Sequence, residues 1–324
     1  MQDKWIVGVD LGGTTTKLAF LTTSGDILQK WEIPTDNSDE GRNITGNIAK
    51  AISEKLASLG ENKNRLIGIG MGAPGPVDYE NGVILNVVNL GWKENYPLKE
   101  QLEVTTALPA AIENDANCAA LGEMWKGAGG GAKDLVCVTL GTGVGGGVII
   151  GGNIVQGSNG AAGEIGHITA VSNGGAPCNC GKTGCLETVA SATGIVRLAT
   201  KEILKGDLKG ELAEKQAANG KITAKDVFDS ARNGDQMAVK VLDEVTFHLG
   251  LVLANIGNTL NPQKIVIGGG VSKAGDFLLN SVKQQFNQFA FSSVKESTEL
   301  ALATLGNDAG VIGAAWLIKN QLNL

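Results

Sequence analysis

Three cysteines lie within eight residues in the segment CNCGKTGC, at Cys178, Cys180 and Cys185. Cysteines this closely spaced are typical of metal sites, and zinc takes four nitrogen or sulfur ligands in a tetrahedral arrangement. Of the two histidines in the chain, His167 lies eleven residues before Cys178, whereas His248 lies in an apolar run of helical type. The spacing predicts a structural zinc site formed by His167 and the three cysteines; the alternative is three free thiols in a loop.

The same segment contains Gly181-Lys182-Thr183, which resembles the end of a nucleotide-binding P-loop. That motif requires a glycine five positions before Gly181, and Ala176 occupies this position. The preceding residues are of turn type, so no strand leads into the segment. The P-loop interpretation is therefore excluded. A disulfide is disfavoured as well, because nothing in the sequence predicts secretion into an oxidising compartment.

Two glycine-rich turns, each between strand-like runs, are candidates for binding phosphate. The first follows residues 5–10 and the second follows residues 135–140. Backbone N–H groups in such turns bind anions, and an aspartate beside them can hold Mg²⁺ directly or through water. Either turn alone could be a simple tight hairpin, but together they predict a grip on one nucleotide. The predicted nucleotide-binding residues are Asp10, Gly12, Gly13, Thr14, Thr15 and Lys17 in the first turn and Gly141, Thr142 and Gly143 in the second.

The second turn also matches the dinucleotide-binding pattern G-x-G-x-x-G at Gly141, Gly143 and Gly146. That pattern binds a dinucleotide only where a helix follows the glycines. Here residues 148–150 are Val-Ile-Ile, and 151–153 are of turn type, which predicts a second strand. We therefore exclude a dinucleotide site.

The motifs DLGGTTTK (10–17) and LGTGVGGG (140–147) resemble the two phosphate-binding motifs of sugar kinases and actin-like ATPases. More narrowly, the chain resembles the ROK family of repressors, open reading frames and kinases. That family carries GH followed by C-x-C-G-x-x-G-C-x-E, here at 166–167 and 178–187. The resemblance runs essentially end to end and is closest to the glucose-phosphorylating members from Gram-positive bacteria. It implies a two-domain α/β fold of the actin-like ATPase (ribonuclease H-like) class, with mixed sheets flanked by helices and an interdomain active-site cleft.

The resemblance implies that ATP, with Mg²⁺, phosphorylates glucose at its 6-hydroxyl. Asp115 matches the catalytic aspartate of the family's E-x-D motif, here Glu113-Asn114-Asp115, and would act as the general base. From the residues alone, Asn114 or Asp115 could instead simply cap the helix that follows. By resemblance the hexose is bound by Asn114, Asp115, Glu164, His167 and Glu187, with Gly75 and Asn89 as weaker candidates, and Gly269 and Gly270 lie by the adenosine.

Two other functions are compatible with the motifs. A ROK kinase could act on another hexose, such as mannose, fructose, allose or N-acetylmannosamine, because residue chemistry alone does not rank these sugars. A ROK regulator would bind sugar and DNA without catalysis. We disfavour the regulator, because the first predicted strand begins at Trp5, which leaves no room before it for a helix-turn-helix domain, and because the net charge is −6.

The 324 residues are enough for two domains. The first is predicted to comprise 1–115 plus 304–324, and the second 116–303.

The sequence predicts a strand at 109–112 followed by a helix at 116–126, a mostly helical stretch at 187–258, and a strand at 264–268 before a glycine turn. A last helix at 307–322 carries Gly310, Gly313 and Ala314, which permit close packing. Residues 206–221 are predicted to be a solvated insertion, and Cys118 and Cys137 to be core residues.

Composition limits the class of protein. No apolar run reaches the ~18–20 residues of a transmembrane helix, and the N-terminus lacks the features of a signal peptide. The excess of acidic residues argues against nucleic-acid binding. The sequence therefore predicts a cytoplasmic enzyme whose partners are a hexose and ATP, without nucleic acid or membrane, assembled as a homo-oligomer (dimer or tetramer).

Overall fold

The computed structural model describes residues 3–85, 90–206 and 209–324. The chain forms two compact units. The first unit comprises Met1–Lys133, Gly147–Gly163 and Leu305–Leu324, and the second comprises Asp134–Gly146 and Glu164–Thr304.

Most strands of the described residues belong to two five-stranded sheets: the strands of the first lie between residues 5 and 114, and those of the second lie at 135–154 and 264–302. In chain order the strands of the described residues are β1 (Trp5–Leu11), β2 (Thr15–Thr22), β3 (Ile27–Pro34), β4 (Leu66–Ala73), β5 (Val77–Asp78), β6 (Val83–Ile84), β7 (Ala110–Asn114), β8 (Leu135–Leu140), β9 (Val144–Ile150), β10 (Asn153–Ile154), β11 (Lys264–Gly268) and β12 (Glu299–Leu302). The helices are α1 (Ile44–Ser58), α2 (Leu98–Thr106), α3 (Asp115–Lys126), α4 (Glu187–Ala190), α5 (Ala192–Lys205), α6 (Glu211–Asn219), α7 (Ala224–Arg232), α8 (Gln236–Leu260), α9 (Asp276–Phe289), α10 (Ser292–Ser297) and α11 (Ala309–Gln321).

The first sheet has the order β3-β2-β1-β4-β7. β1 pairs antiparallel with β2 through the first glycine turn, as predicted, whereas β4 is parallel to both β1 and β7. Ile6, Val7 and Val9 of β1 are fully buried on both faces of the strand, which is typical of a central strand covered on both sides. Because β1, β4 and β7 are parallel, the residues at their carboxyl ends lie along one edge of the sheet.

The second sheet has the order β10-β9-β8-β11-β12, with β8, β11 and β12 parallel. The hairpin of β8 and β9 closes at the second glycine turn, and no helix follows the glycines. The predicted strand–turn–strand is therefore confirmed, as is the exclusion of a dinucleotide-binding turn. β9 begins in the second unit and ends in the first.

The first unit is larger than the predicted segments 1–115 and 304–324, because it also contains α3 and residues 147–163. α3 packs against α11 so closely that a Cβ added at Gly313 would lie 1.7 Å from the carbonyl oxygen of Cys118. A Cβ added at Gly70 of β4 would likewise lie 1.7 Å from the carbonyl oxygen of Ala314. The predicted close packing of the last helix is confirmed, and this packing brings α3 into the first unit.

Two further predictions are refined by the structure. Cys118 and Cys137 are buried core residues, as predicted. The segment 206–221, predicted as a solvated insertion, instead contains α6, whose Leu212 is fully buried. The backbone N–H of Leu212 also donates to Asp235, the N-cap of α8 (2.9 Å). Every helix in the described parts of the chain is too short or too polar to span a bilayer.

Candidate active site

The first glycine loop, residues 12–15, connects β1 to β2 and is closed by a hydrogen bond from the N–H of Gly12 to the carbonyl of Thr15 (3.0 Å). Asp10 and Lys17 face each other across the hairpin, and Lys17 Nζ lies 3.1 Å from Asp10 Oδ2. A Cβ added at Gly310, at the start of α11, would lie 2.8 Å from Asp10 Cγ. Gly310 therefore leaves room for the carboxylate of Asp10 at this edge of the sheet.

Two residues that sequence reasoning missed hold the first glycine loop from outside. The hydroxyl of Thr35 donates to the carbonyl of Gly12 (2.8 Å), and the amide of Asn37 donates to the carbonyl of Gly13 (2.6 Å). The N–H of Thr35 also donates to the carbonyl of Thr14 (3.0 Å). These bonds occupy carbonyl groups, so the loop can direct N–H groups toward a phosphate. The polar residues 35–37 (TDN), which follow β3 directly, are the feature of the sequence that could have indicated these two hydrogen bonds.

Asn114 and Asp115 lie where β7 ends and α3 begins, and the pairing of Ala73 with Asn114 places Gly75 beside them. The side-chain oxygen of Asn114 accepts from the N–H groups of Ala116 and Asn117, so Asn114 is the N-cap of α3. Its amide nitrogen donates to the carbonyl of Gly75 (3.1 Å). Asn114 therefore has the capping role considered from the sequence, and Asp115 is an exposed first residue of the helix.

Glu113, the first residue of the E-x-D motif, is almost completely buried (1% exposed). Its carboxylate accepts hydrogen bonds from the N–H of Asn114 (2.7 Å), from Asn117 (3.0 Å) and from Gln156. Burial raises the pKa of Glu113, and these donors oppose that effect. The interaction with Gln156 joins the strand end before Asp115 to the segment 156–163, a link that the sequence pattern did not indicate.

The second glycine loop, residues 141–144, connects β8 to β9, and the N–H of Gly141 donates to the carbonyl of Gly143 (2.9 Å). Because β8 and β11 are parallel, Gly269 after β11 reaches the end of β8. Gly269 has φ +84°, and a Cβ there would lie 2.5 Å from the carbonyl oxygen of Leu140. Within the second unit, the fold therefore brings Gly269 and Gly270 beside the second glycine loop.

Glu187, predicted to bind the hexose, also contacts the second glycine loop. Its Oε2 accepts a hydrogen bond from the N–H of Val144 (2.9 Å), and a Cβ added at Gly143 would lie 2.3 Å from the same oxygen. Its Oε1 lies 3.8 Å from the sulfur of Cys178. Glycine at 143 thus leaves room for the Glu187 carboxylate, a contact that the sequence pattern did not indicate.

The predicted metal ligands come together. One ligand atom each from His167, Cys178, Cys180 and Cys185 can be chosen so that all four lie within 4.8 Å of one another. Cys178 Sγ lies 3.6 Å from His167 Nδ1, and Cys180 Sγ lies 3.6 Å from Cys185 Sγ. Ligand atoms about 3.8 Å apart are expected around a tetrahedral zinc with ~2.3 Å zinc–sulfur distances. The donor set and its spacing therefore fit zinc.

The chain geometry explains why these residues converge. A turn closed by the N–H of Gly181 on the carbonyl of Cys178 (3.0 Å) reverses the segment, and Thr169 forms an isolated bridge with Cys185. Burial raises the pKa of the Cys185 thiol to about 12, so a cation is needed to keep this sulfur as a thiolate. The other ring nitrogen of His167, Nε2, lies 3.9 Å from Glu164. A carboxylate that accepts a hydrogen bond from this nitrogen is the usual outer partner of a metal-bound histidine, but the separation here is beyond hydrogen-bond distance.

The predicted site residues thus form separate groups within each unit. One group lies at the edge of the first sheet, in the first unit, and comprises Asp10, the first glycine loop, Lys17, Gly75, Asn114 and Asp115. The other group lies in the second unit and comprises the second glycine loop, Gly269, Gly270, Glu164, Glu187 and the metal-ligand cluster. Asn89 lies outside the described residues.

Comparison with known proteins identifies the family. The ROK family matches residues 6–321 of the chain. A glucokinase from Halalkalibacterium halodurans is 57% identical, over 100% of this chain and 97% of its own length. A ROK family glucokinase from Streptomyces griseus, solved with glucose and AMPPNP, has a TM-score of 0.75 at 34% identity, covering 97% of this chain and 98% of its own.

A ROK family transcriptional regulator, a homologue of the E. coli MLC protein, has a TM-score of 0.86 at 28% identity. The match covers 99% of this chain and 79% of the regulator. The fold is therefore common to enzymes and regulators of the family. Together with the mixed sheets flanked by helices, these similarities confirm the predicted actin-like ATPase fold class.

Proposed function

The chain belongs to the ROK family, and from that premise we propose that it transfers the γ-phosphoryl group of ATP to the 6-hydroxyl of glucose. The observation that carries the proposal is the position of Asp115, an exposed carboxylate at the carboxyl end of β7, on the sheet edge that also holds Asp10 and the first glycine loop. The whole-length similarity to a glucokinase supports glucose as the substrate.

Asp115 acts as the general base in this proposal. It accepts the proton of the 6-hydroxyl while that oxygen forms a bond to the γ-phosphorus and the bond from phosphorus to the β–γ bridging oxygen breaks, which gives glucose 6-phosphate and ADP. The N–H of Ala116 donates to Asp115 (2.7 Å), which orients the carboxylate. The proposed hexose contacts are Gly75, Asn89, Asn114, Glu164, His167 and Glu187.

The residues of the two glycine loops are the proposed phosphate contacts of the nucleotide, and Gly269 and Gly270 are its proposed adenosine contacts. Mg²⁺ bound with ATP neutralises charge on the phosphates, and Asp10 is the proposed oxygen ligand, directly or through water. Lys17, 3.1 Å from Asp10, supplies a positive charge at the same loop. The metal of the cysteine cluster is proposed to be a structural zinc, because four protein ligands leave no open position for a substrate.

A panel of hexoses assayed with ATP and Mg²⁺ tests the substrate. We expect glucose to have the highest kcat/KM among glucose, mannose, fructose, allose and N-acetylmannosamine. A tenfold lead for another sugar would contradict glucose as the substrate and leave a ROK kinase for that sugar. Glucose binding measured by calorimetry, without phosphorylation of any hexose, would instead identify a sugar-sensing regulator.

The grip on ATP is tested at Gly12, where a Cβ would lie 2.8 Å from the carbonyl oxygen of Thr15. In Gly12→Ala the loop must shift, so its N–H groups lose their position relative to the phosphates. We expect the KM for ATP to rise at least about fivefold, equal to about 1 kcal/mol, with a smaller change in the KM for glucose. Steady-state kinetics with each substrate varied in turn measures both constants.

The matched control is Gly46→Ala in α1 of the same unit, where an added Cβ has open space. This variant should leave both constants near those of the parent enzyme. Equal increases for ATP and glucose in Gly12→Ala would indicate general loss of structure rather than a role in nucleotide binding. The cytoplasmic location, the homo-oligomeric state and the lack of nucleic-acid binding stay predictions.

A further inference from the structure

We infer that Thr193 is a positioning residue for ATP, because it fixes the second glycine loop. This inference rests on the proposed function, since it concerns the nucleotide site of the same enzyme. Neither the glycine motifs nor the metal motif includes Thr193. It lies at the start of α5, close in sequence to the last metal-ligating cysteine, and within the same unit as the loop.

Three hydrogen bonds run between the second glycine loop and the segment 187–193. The N–H of Ala192 donates to the carbonyl of Gly141 (2.8 Å), and the hydroxyl of Thr193 donates to the carbonyl of Thr142 (2.8 Å). The N–H of Val144 donates to the carboxylate of Glu187 (2.9 Å). The segment thus holds residues 141, 142 and 144 of a four-residue loop.

The segment itself is firmly held, so it can serve as a support. Ser191 is fully buried and is the N-cap of α5, accepting from the N–H of Gly194 (2.9 Å). The Ser191 hydroxyl also donates to the carbonyl of Glu187 (2.6 Å) and lies 2.9 Å from the hydroxyl of Thr193. Arg197 donates to the carbonyl of Thr188 (2.9 Å). These bonds fix the backbone of the turn that carries Thr193, and with it the position from which the Thr193 hydroxyl reaches the loop.

This arrangement matters for ATP because a glycine-rich loop without such supporting hydrogen bonds would adopt many backbone conformations. Ordering such a loop on binding costs conformational free energy, and a loop that is already fixed avoids that cost. The bonds to the carbonyls of Gly141 and Thr142 also set the orientation of the adjoining peptide units. Thr193 therefore acts on the nucleotide through the loop and need not touch it.

The experiment compares Thr193→Val, which removes the hydroxyl at nearly constant shape, with Thr193→Ser, which keeps it. Calorimetry with ADP should give a Kd about threefold to tenfold higher for Thr193→Val, the range expected for one net hydrogen bond. The Kd for glucose should stay within about twofold. Thr193→Ser should bind ADP like the parent protein. Steady-state kinetics should repeat this pattern as a higher KM for ATP with nearly unchanged kcat.

The matched control is Thr200→Val in the same helix, where the lost hydroxyl donates only within α5, to the carbonyl of Val196 (2.8 Å). It should leave ADP binding unchanged. Hydrogen exchange of the amides of residues 141–144, measured without ligand, should be faster in Thr193→Val alone. Unchanged ADP binding in Thr193→Val, an equal loss in Thr200→Val, or no recovery in Thr193→Ser would each overturn the inference.

The ADP and hydrogen-exchange measurements need no turnover, so they separate this inference from the proposed function. Glucose that is bound but not phosphorylated would contradict the proposed function and leave the positioning role supported by exchange and ADP binding. If the protein phosphorylates glucose but Thr193→Val binds ADP with the affinity of the parent protein, only the inference about Thr193 is contradicted.

Discussion

Replacing Asp115 with alanine or asparagine should reduce the turnover of glucose at least about 100-fold, the usual contribution of a positioned general base. Asparagine keeps the size of the side chain and the acceptor for the N–H of Ala116, but it cannot take the proton of the 6-hydroxyl. Glucose binding should weaken only modestly, because the remaining proposed contacts are intact. Turnover in the presence of saturating glucose and ATP, together with the Kd for glucose, measures both effects.

Asp276 provides the matched control for this experiment. It is the exposed first residue of α9, as Asp115 is the exposed first residue of α3. Each carboxylate therefore stabilises its helix through its negative charge at the amino end. Asp276→Asn should keep full turnover while losing the same type of helix stabilisation. If Asp115→Asn retained more than a tenth of its turnover, Asp115 would be a helix-end residue without a catalytic role.

Replacing Cys180 with serine should release the metal and lower the melting temperature by at least roughly 5 °C, equivalent to a loss of about 3 kcal/mol in a chain of this size. The purified parent protein should contain about one zinc per chain, as four protein ligands imply. Atomic emission measures the zinc and a thermal scan measures the stability. Cys180 is exposed, so serine at this position adds no buried polar group.

The sequence alone predicts that this change weakens glucose binding and affects the nucleotide less, because His167 is itself a metal ligand and Glu187 lies two residues after Cys185. The hydrogen bond from Val144 to Glu187 adds a connection from the cluster to the second glycine loop. We therefore expect a measurable loss of ADP affinity as well. Titrations of glucose and ADP on the zinc-free variant determine the two effects.

Cys137→Ala is the control for the loss of zinc. Cys137 is a buried cysteine in the same unit but outside the cluster, so its replacement should leave about one zinc per chain while lowering stability through a small cavity. A Cys180→Ser protein that keeps its zinc would contradict the ligand set. Unchanged glucose affinity in the zinc-free protein would contradict the role of the cluster as a scaffold for the sugar site.

The sequence by itself determined the features that depend on local spacing. Glycines between two β-rich runs specify a hairpin, because the threonines and valines that follow the turns favour strand over helix. Cysteines separated by one and four residues, with a histidine shortly before them, converge through a single tight turn closed at Gly181. Asn114 was recognised as a possible cap because capping depends only on the next three residues.

Only the tertiary structure decided which distant segments support these motifs. Thr35 and Asn37 hold the first glycine loop, Gln156 contacts the buried Glu113, and Thr193 holds the second loop, each across many residues of sequence. The assignment of α3 to the first unit likewise depends on the backbone of Cys118 meeting Gly313. A hydroxyl or amide has many possible partners, and packing of the whole chain selects one. Local patterns therefore indicate the reactive groups, whereas the fold determines what holds them in position.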